Sequence, residues 1–154
     1  MNPDPQLLDL LPHRPPMIVL TQVISVKVPG EAAAVADTSI GSVFYDPDLG
    51  GIPACVALEY MAQTMALAVG VERCRKGETP KVGFVLGTRR LDVKVAVFES
   101  EKRYEVKATC VCADDEVASF DCSITGPEGE VVATATLTAY QPMGVEGAQQ
   151  ADML

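Results

Sequence analysis

Glu59 and Gln63 are the residues whose types and spacing most directly suggest chemistry. They interrupt the apolar stretch PACVALEYMAQTMALAVG, which runs from Pro53 to Gly70. Residues four apart share one face of a helix, so the carboxyl and amide groups are expected side by side. Carboxyl groups are rarely kept in apolar surroundings without a use, so Glu59 is predicted to act as a general acid or base. Gln63 would orient the carboxylate or bind a ligand; the alternative is a structural glutamate that caps an amide or pairs with an arginine.

The beginning of the same segment offers a second chemical feature. The first turn of a helix has free N–H groups and the positive end of the helix dipole. At Pro53, Ala54 and Cys55 these groups could polarise a carbonyl oxygen of a substrate, as an oxyanion hole does. Cys55 stands where the dipole favours a thiolate. A Cys–His nucleophile is not supported, because the chain contains a single histidine.

That histidine is His13, in the segment LPHRPPM. Its position in a proline-rich turn favours a structural role in which the ring hydrogen-bonds to the backbone. The alternative is that His13 takes part in proton transfer.

The elements that position these residues can be placed along the chain. Residues 7–11 predict a short helical turn, and Pro12, Pro15 and Pro16 end it. Residues 17–28 and 31–40 predict two strands, and 41–51 a loop. A long apolar helix begins at Pro53 and ends before Gly77. Four further strand segments follow, at 81–97, 102–113, 116–126 and 130–142. Cys110 and Cys112 are expected to share one face of the second of these four.

Length and composition exclude several classes of protein. The 154 residues, of which 48% are hydrophobic, predict one folded domain spanning 1–154, with a core over about 6–142 and a flexible tail at 143–154. The net charge of −9 argues against a nucleic-acid partner. Ala54–Val71 barely reaches the length of a membrane span and carries Glu59, so a helix buried in the protein is expected instead.

The elements together predict an α+β fold in which an antiparallel sheet wraps around one long central helix. A helix without a polar face needs more cover than one sheet gives, so a dimer with a continuous sheet is expected. Five cysteines without metal-type spacing indicate reduced thiols, no metal site and a cytoplasmic location.

Two separated motifs resemble the hotdog-fold β-hydroxyacyl-ACP dehydratases. The first, LPHRPP, begins at Leu11 and leads into the first strand; the second, IPACVALEYMAQ, ends at Gln63 and opens the central helix. The resemblance is strongest to a dehydratase-like subgroup associated with polyene-type lipid biosynthesis. It implies a dimeric hotdog fold that binds an acyl chain carried on the phosphopantetheine of an acyl carrier protein, with no other cofactor.

The resemblance also implies residue roles. A loop histidine of one subunit removes the C2 proton of a 3-hydroxyacyl thioester, and the helix carboxyl group of the other helps the C3 hydroxyl leave as water. Glu59 matches that carboxyl group, and Ala54 and Cys55 match the oxyanion positions. The loop position fourteen residues before Glu59 is Tyr45, which is a poor base at neutral pH.

Three explanations for Tyr45 are open. In the favoured interpretation, a related hotdog subunit supplies the histidine. In the second, Tyr45 or a displaced His13 replaces the histidine. In the third, the chain binds acyl carrier proteins without catalysis. A hotdog thioesterase is the rival enzyme class, because a Gly-Gly pair precedes the helix at Gly50–Gly51.

Charge suggests where a carrier protein would bind. Ten of the twelve lysines and arginines lie between Arg73 and Lys107. Acyl carrier proteins are acidic, so Arg89 and Arg90 are predicted as carrier contacts, whereas the alternative is an ordinary solvated surface.

Overall fold

One long helix lies at the centre of the structure, and an antiparallel sheet wraps around it. This is a computed structural model, and it describes residues 4–141. In chain order its elements are α1 Pro5–Leu10, β1 Leu20–Lys27, β2 Glu31–Ala36, β3 Gly51–Pro53, α2 Ala57–Arg75, β4 Phe84–Val93, β5 Val97–Glu99, β6 Glu105–Ala113, β7 Val117–Thr125 and β8 Val131–Tyr140. A single 3-10 turn, Ala54–Val56, precedes α2. The architecture predicted from the sequence is confirmed.

Six of the strands form the main sheet, in the order β1-β2-β6-β7-β8-β4. Alternation of side chains fixes which face meets the helix. In β8, Ala133, Ala135 and Leu137 are buried, whereas the intervening Thr134 is exposed. A shift of one residue would turn the apolar set to solvent, so this pattern sets the register.

Burial on most sides explains why α2 is apolar all round. It packs on strands β1, β2, β6 and β7 as well as on α1. Its last turn carries Arg73 and Arg75, and Gly77 follows with φ +74°, a left-handed conformation that ends the helix. Ala54–Arg75 is the one helix among residues 4–141 that is long and apolar enough to cross a membrane, and 56% of an apolar 18-residue stretch within it is buried inside the domain.

The predicted strand at 81–97 is in fact two strands. β4 joins the main sheet beside β8, whereas β5 leaves it and pairs with β3 as a separate two-stranded sheet. The Gly-Gly pair makes this possible, because Gly50 has φ +68° and a Cβ on Gly51 would lie 2.2 Å from the carbonyl oxygen of Phe98. Gly50 and Gly51 are therefore explained by the fold, without any catalytic role.

The expectation that Cys110 and Cys112 share a face is wrong. Cys110 pairs with Phe120 and Cys112 with Ser119, because a bulge interrupts β6 between the two cysteines. Adjacent residues of β7 point to opposite faces, so their partners do as well. The tail predicted to be flexible, 143–154, lies outside the described residues.

The short helix α1 sits directly against α2. Asp4 caps α1 by accepting a hydrogen bond from the N–H of Gln6 at 3.0 Å, and a second oxygen of Asp4 accepts from the N–H of Val23 in β1. The carbonyl oxygen of Leu10 is so close to α2 that a Cβ on Gly70 would lie 2.2 Å from it. Gly70 is thus required for the close approach of the two helices.

We predict that Gly70→Ala destabilises the protein by about 1–3 kcal/mol, because the added methyl group must push α1 away, and this cost exceeds the gain in helix propensity. Urea unfolding would measure the loss. Gly41→Ala is the matched control, since its Cβ would meet only Ser39 Oγ at 3.8 Å. Equal stability of the two variants would contradict the close contact between α1 and α2 at Gly70.

Candidate functional site

The side chains of Glu59 and Gln63 are in direct contact, as their spacing predicts. Glu59 lies in the first turn of α2, where the helix dipole favours a carboxylate. The Nε2 of Gln63 donates a hydrogen bond to Glu59 Oε1 at 2.7 Å. The Glu59 side chain remains 38% exposed, so its carboxyl group can be reached from outside the chain.

Gln63 is fully buried, and backbone groups hold its amide on both sides. Its Nε2 also donates to the carbonyl of Met17 at 2.8 Å, and its Oε1 accepts from the N–H of Val19 at 3.0 Å. Both Nε2 protons and the oxygen are therefore in use. Of the two roles predicted for Gln63, the geometry supports orienting the carboxylate rather than binding a ligand.

His13 joins the same group from the loop between α1 and β1. Its Nε2 lies 3.9 Å from Glu59 Oε1, and its Nδ1 is buried without a hydrogen-bond partner among residues 4–141. Burial lowers the pKa of His13 below its ordinary value, and the Glu59 charge opposes this shift. The ring is therefore held in a form that can accept a proton near neutral pH.

Arg14, the residue after His13, holds this loop in place. Its Nη1 donates to the carbonyl oxygens of Leu8, Leu11 and His13 at 3.2, 3.0 and 2.7 Å. These bonds tie the end of α1 to the loop. Sequence reasoning missed this role, although a guanidinium with five donors beside a helix end and a proline-rich turn was a usable signal.

The start of the helix offers fewer free donors than predicted. The N–H of Ala54 donates to the carbonyl of Ala96 at 3.1 Å, so it cannot also serve as a free oxyanion donor. Pro53 has no backbone N–H, and it pairs with Val97 in the two-stranded sheet of β3 and β5. Cys55, with an exposed thiol, remains the candidate whose N–H could meet a substrate carbonyl.

Among residues 4–141, no hydrogen bond or ion pair joins three further predicted site residues to the group of Glu59, Gln63 and His13. Tyr45 is half-buried in the loop before β3, where its N–H donates to the carbonyl of Ser42 at 3.1 Å. Arg89 and Arg90 are exposed on β4, and Arg90 Nε lies 2.6 Å from Asp92 Oδ2. Among residues 4–141 there is no cluster of three or more histidine, cysteine, aspartate or glutamate side chains that could hold a metal ion.

A family model described as ApeP-like, ApeP dehydratase, matches residues 5–151 of this chain. The chain belongs to the ApeP-like dehydratase family. This confirms the resemblance to dehydratases that the two motifs carry.

Individual members of related families agree with this assignment. A 3-hydroxyacyl-[acyl-carrier-protein] dehydratase FabZ from Oceanobacillus iheyensis is 28% identical over 92 residues. The match covers 58% of this chain and 64% of that relative, so the chain spans just under two thirds of its length. A chain of the dehydratase heterocomplex ApeI:P from Xenorhabdus doucetiae is 29% identical, covers 91% of this chain and 93% of its own, and superposes with a TM-score of 0.82.

More distant structures share the fold alone. The TT0310 protein from Thermus thermophilus is 19% identical over 79% of this chain and 91% of its own, with a TM-score of 0.59. A hypothetical thioesterase with coenzyme A from Streptococcus pneumoniae is 18% identical over 77% and 83%, also with a TM-score of 0.59. The hotdog fold predicted from the sequence is confirmed by these neighbours.

We predict that Gln63→Met destabilises the protein by about 2–4 kcal/mol, because the buried N–H of Val19 and the partly buried carbonyl of Met17 lose their partner. Denaturant unfolding would measure it. Gln22→Met, at an exposed position of β1, is the control and should change stability by no more than about 0.5 kcal/mol. Equal destabilisation by Gln63→Met and Gln22→Met would show that the hydrogen bonds of the Gln63 amide do not stabilise the fold.

We also predict that His13 titrates below its ordinary pKa of 6.5. The Glu59 charge raises the pKa of His13, so Glu59→Gln should lower it further. Folding disfavours protonation of His13, so below about pH 6.5 the unfolded chain binds this proton more readily than the folded chain does. The free energy of unfolding is therefore expected to fall as the pH falls below about 6.5. NMR of the single histidine, in tag-free protein, measures both pKa values; an upward shift in Glu59→Gln would refute the contact.

Proposed function

We propose that this chain is a subunit of a hydro-lyase that converts a 3-hydroxyacyl thioester, carried on an acyl carrier protein, to the 2-enoyl thioester. Glu59 is the proposed proton donor. The observation that carries this proposal is the Gln63–Glu59 hydrogen bond at the start of the central helix, in a chain of the ApeP-like dehydratase family.

The proposed reaction needs an acid and a base on the substrate. Gln63 and His13 both approach Oε1 of Glu59, so Oε2 is the oxygen that would meet the C3 hydroxyl. A base removes the C2 proton, the electron pair forms the C2–C3 double bond, and the hydroxyl leaves as water with the proton from Glu59. The N–H of Cys55 would hydrogen-bond to the thioester oxygen as negative charge develops there.

The base is proposed to come from a second hotdog chain. The loop position carries Tyr45, and the chain's single histidine is His13, whose Nε2 lies 3.9 Å from Glu59 Oε1 in the same subunit. The structural relative from Xenorhabdus doucetiae comes from a heterocomplex, which favours a mixed dimer for this chain too. Its proposed partner is a related hotdog subunit with a histidine at the loop position, although a homodimer is the simpler alternative.

The substrate is proposed to reach the site on phosphopantetheine, so no other cofactor is invoked. The acidic carrier protein would be met by basic side chains, and Arg89 and Arg90 remain the proposed contacts. The relation to a FabZ dehydratase supports a place in fatty-acid or polyene biosynthesis, and hence in the cytoplasm.

We predict that Glu59→Gln lowers dehydration by the mixed dimer by about 10²–10⁴-fold, the usual contribution of a general acid. The glutamine keeps an oxygen for the Gln63 hydrogen bond, so the fold should survive. The partner in this assay is a related hotdog chain that has a histidine at the loop position. Mass spectrometry of 3-hydroxyacyl carrier protein, incubated with the mixture, would detect the 2-enoyl product.

Tyr45→Phe and His13→Gln are the comparison variants. Under the mixed-dimer proposal Tyr45→Phe stays active, and a Tyr45→Phe variant as inactive as Glu59→Gln would make Tyr45 the base. Loss of turnover in His13→Gln alone would place the base within this chain. Release of free acid would indicate a thioesterase, and carrier binding without any product would indicate a non-catalytic subunit.

A further inference from the structure

The strand β4 presents an unpaired edge to its surroundings. It pairs with β8 on one side, and no strand within residues 4–141 pairs with its other side. Phe84, Val85 and Leu86 at its beginning are 38%, 46% and 63% exposed. A ten-residue edge strand with an apolar beginning and free N–H and C=O groups is a template for pairing with another chain.

The second half of this edge is positively charged. Arg89 and Arg90 fall between Thr88 and Leu91, where the register with β8 shifts, so they protrude from the strand at a bulge. Both are exposed, and the Arg90 side chain is 82% exposed. Asp92 pairs with Arg90, which leaves the charge of Arg89 uncompensated by an ion pair within residues 4–141.

Pairing with a second copy of this chain would bring these charges together. Two identical antiparallel strands are related by a two-fold axis, and an axis near the middle of β4 lies close to Arg89 and Arg90. The arginines of both copies would then gather around this axis. Asp92 pairs with Arg90, but the two Arg89 charges have no ion pair among residues 4–141 and would oppose association.

We propose that the β4 edge selects its partner by charge. It pairs with the edge strand of a different hotdog chain that carries acidic side chains opposite Arg89 and Arg90, in preference to a second copy. The two arginines then serve this contact, which replaces their proposed role as carrier contacts. This inference rests on the proposed mixed dimer and adds the chemistry of the partner's strand. A competing explanation is that the arginines only guard an exposed edge against aggregation.

The chain itself can supply the acidic edge that tests this proposal. The double variant R89E/R90E is mixed with wild-type protein of distinguishable mass, and native mass spectrometry and analytical ultracentrifugation measure the dimers formed. The mixed dimer should exceed the share given by random pairing, with an apparent Kd about fivefold below that of the wild-type homodimer at low salt. The preference should fade at about 1 M salt, where the charges are screened.

K76E/K102E is the matched control. It makes the same change in net charge at two exposed lysines that lie outside β4, and it should mix with wild type no better than wild type does with itself. Random pairing of R89E/R90E with wild type, an equal preference in the control, or only monomers in every mixture would overturn the proposal. No substrate or carrier protein is present, so this result is independent of whether the chain takes part in dehydration.

Discussion

The buried amide of Gln63 links the two parts of the chain on which the candidate site depends. It binds the carboxyl group of Glu59 one helical turn away, and it bonds to the backbone on either side of Ile18, just before β1. The central helix is thereby fixed against the first strand at the level of the carboxyl group. An apolar side chain at position 63 would fill the space but would leave the buried N–H of Val19 and the partly buried carbonyl of Met17 unpaired.

This anchor defines what the chain can contribute to catalysis by itself. One oxygen of Glu59 is oriented by Gln63, while the side chain stays partly exposed. The His13 ring, whose pKa is lowered by burial, has its Nε2 3.9 Å from Glu59 Oε1, and Arg14 donates a hydrogen bond to the carbonyl of His13. A carboxyl group is therefore in position, whereas the loop before β3 carries Tyr45 rather than a histidine. The chain by itself therefore holds only part of the candidate site.

The sequence predicted those parts of the structure that depend on local patterns. The apolar helix with its glycine end and the alternating β8 follow from local sequence signals. The start of the helix differs from the prediction, because Pro53 ends β3 and a 3-10 turn precedes α2. The separation of β4 from β5 was not predictable in this way, since one predicted strand segment covers β4 and the start of β5 and the division depends on the close contact of Gly51 with the Phe98 carbonyl. The bulge that separates Cys110 from Cys112 likewise arises from pairing with β7 rather than from the sequence of β6.

In the candidate site, as in the fold, local sequence patterns predicted some contacts, whereas others depend on tertiary structure. The helical spacing predicted the contact of Glu59 with Gln63, but the bonds of Gln63 to residues more than forty positions away required the fold. The same holds for Ala54, whose N–H is taken by Ala96 through the small sheet. The bonds of Gln63 and of Ala54 both involve backbone partners, which side-chain patterns do not reveal.

The central claim is that this chain supplies the acid and another hotdog chain the base. The most direct test compares 2-enoyl product formation from a 3-hydroxyacyl carrier protein in three samples: this chain alone, its mixture with a related hotdog chain that has the loop histidine, and the same mixture with that histidine replaced by alanine. Only the intact mixture should form product. Product formed equally fast by this chain alone would contradict the account.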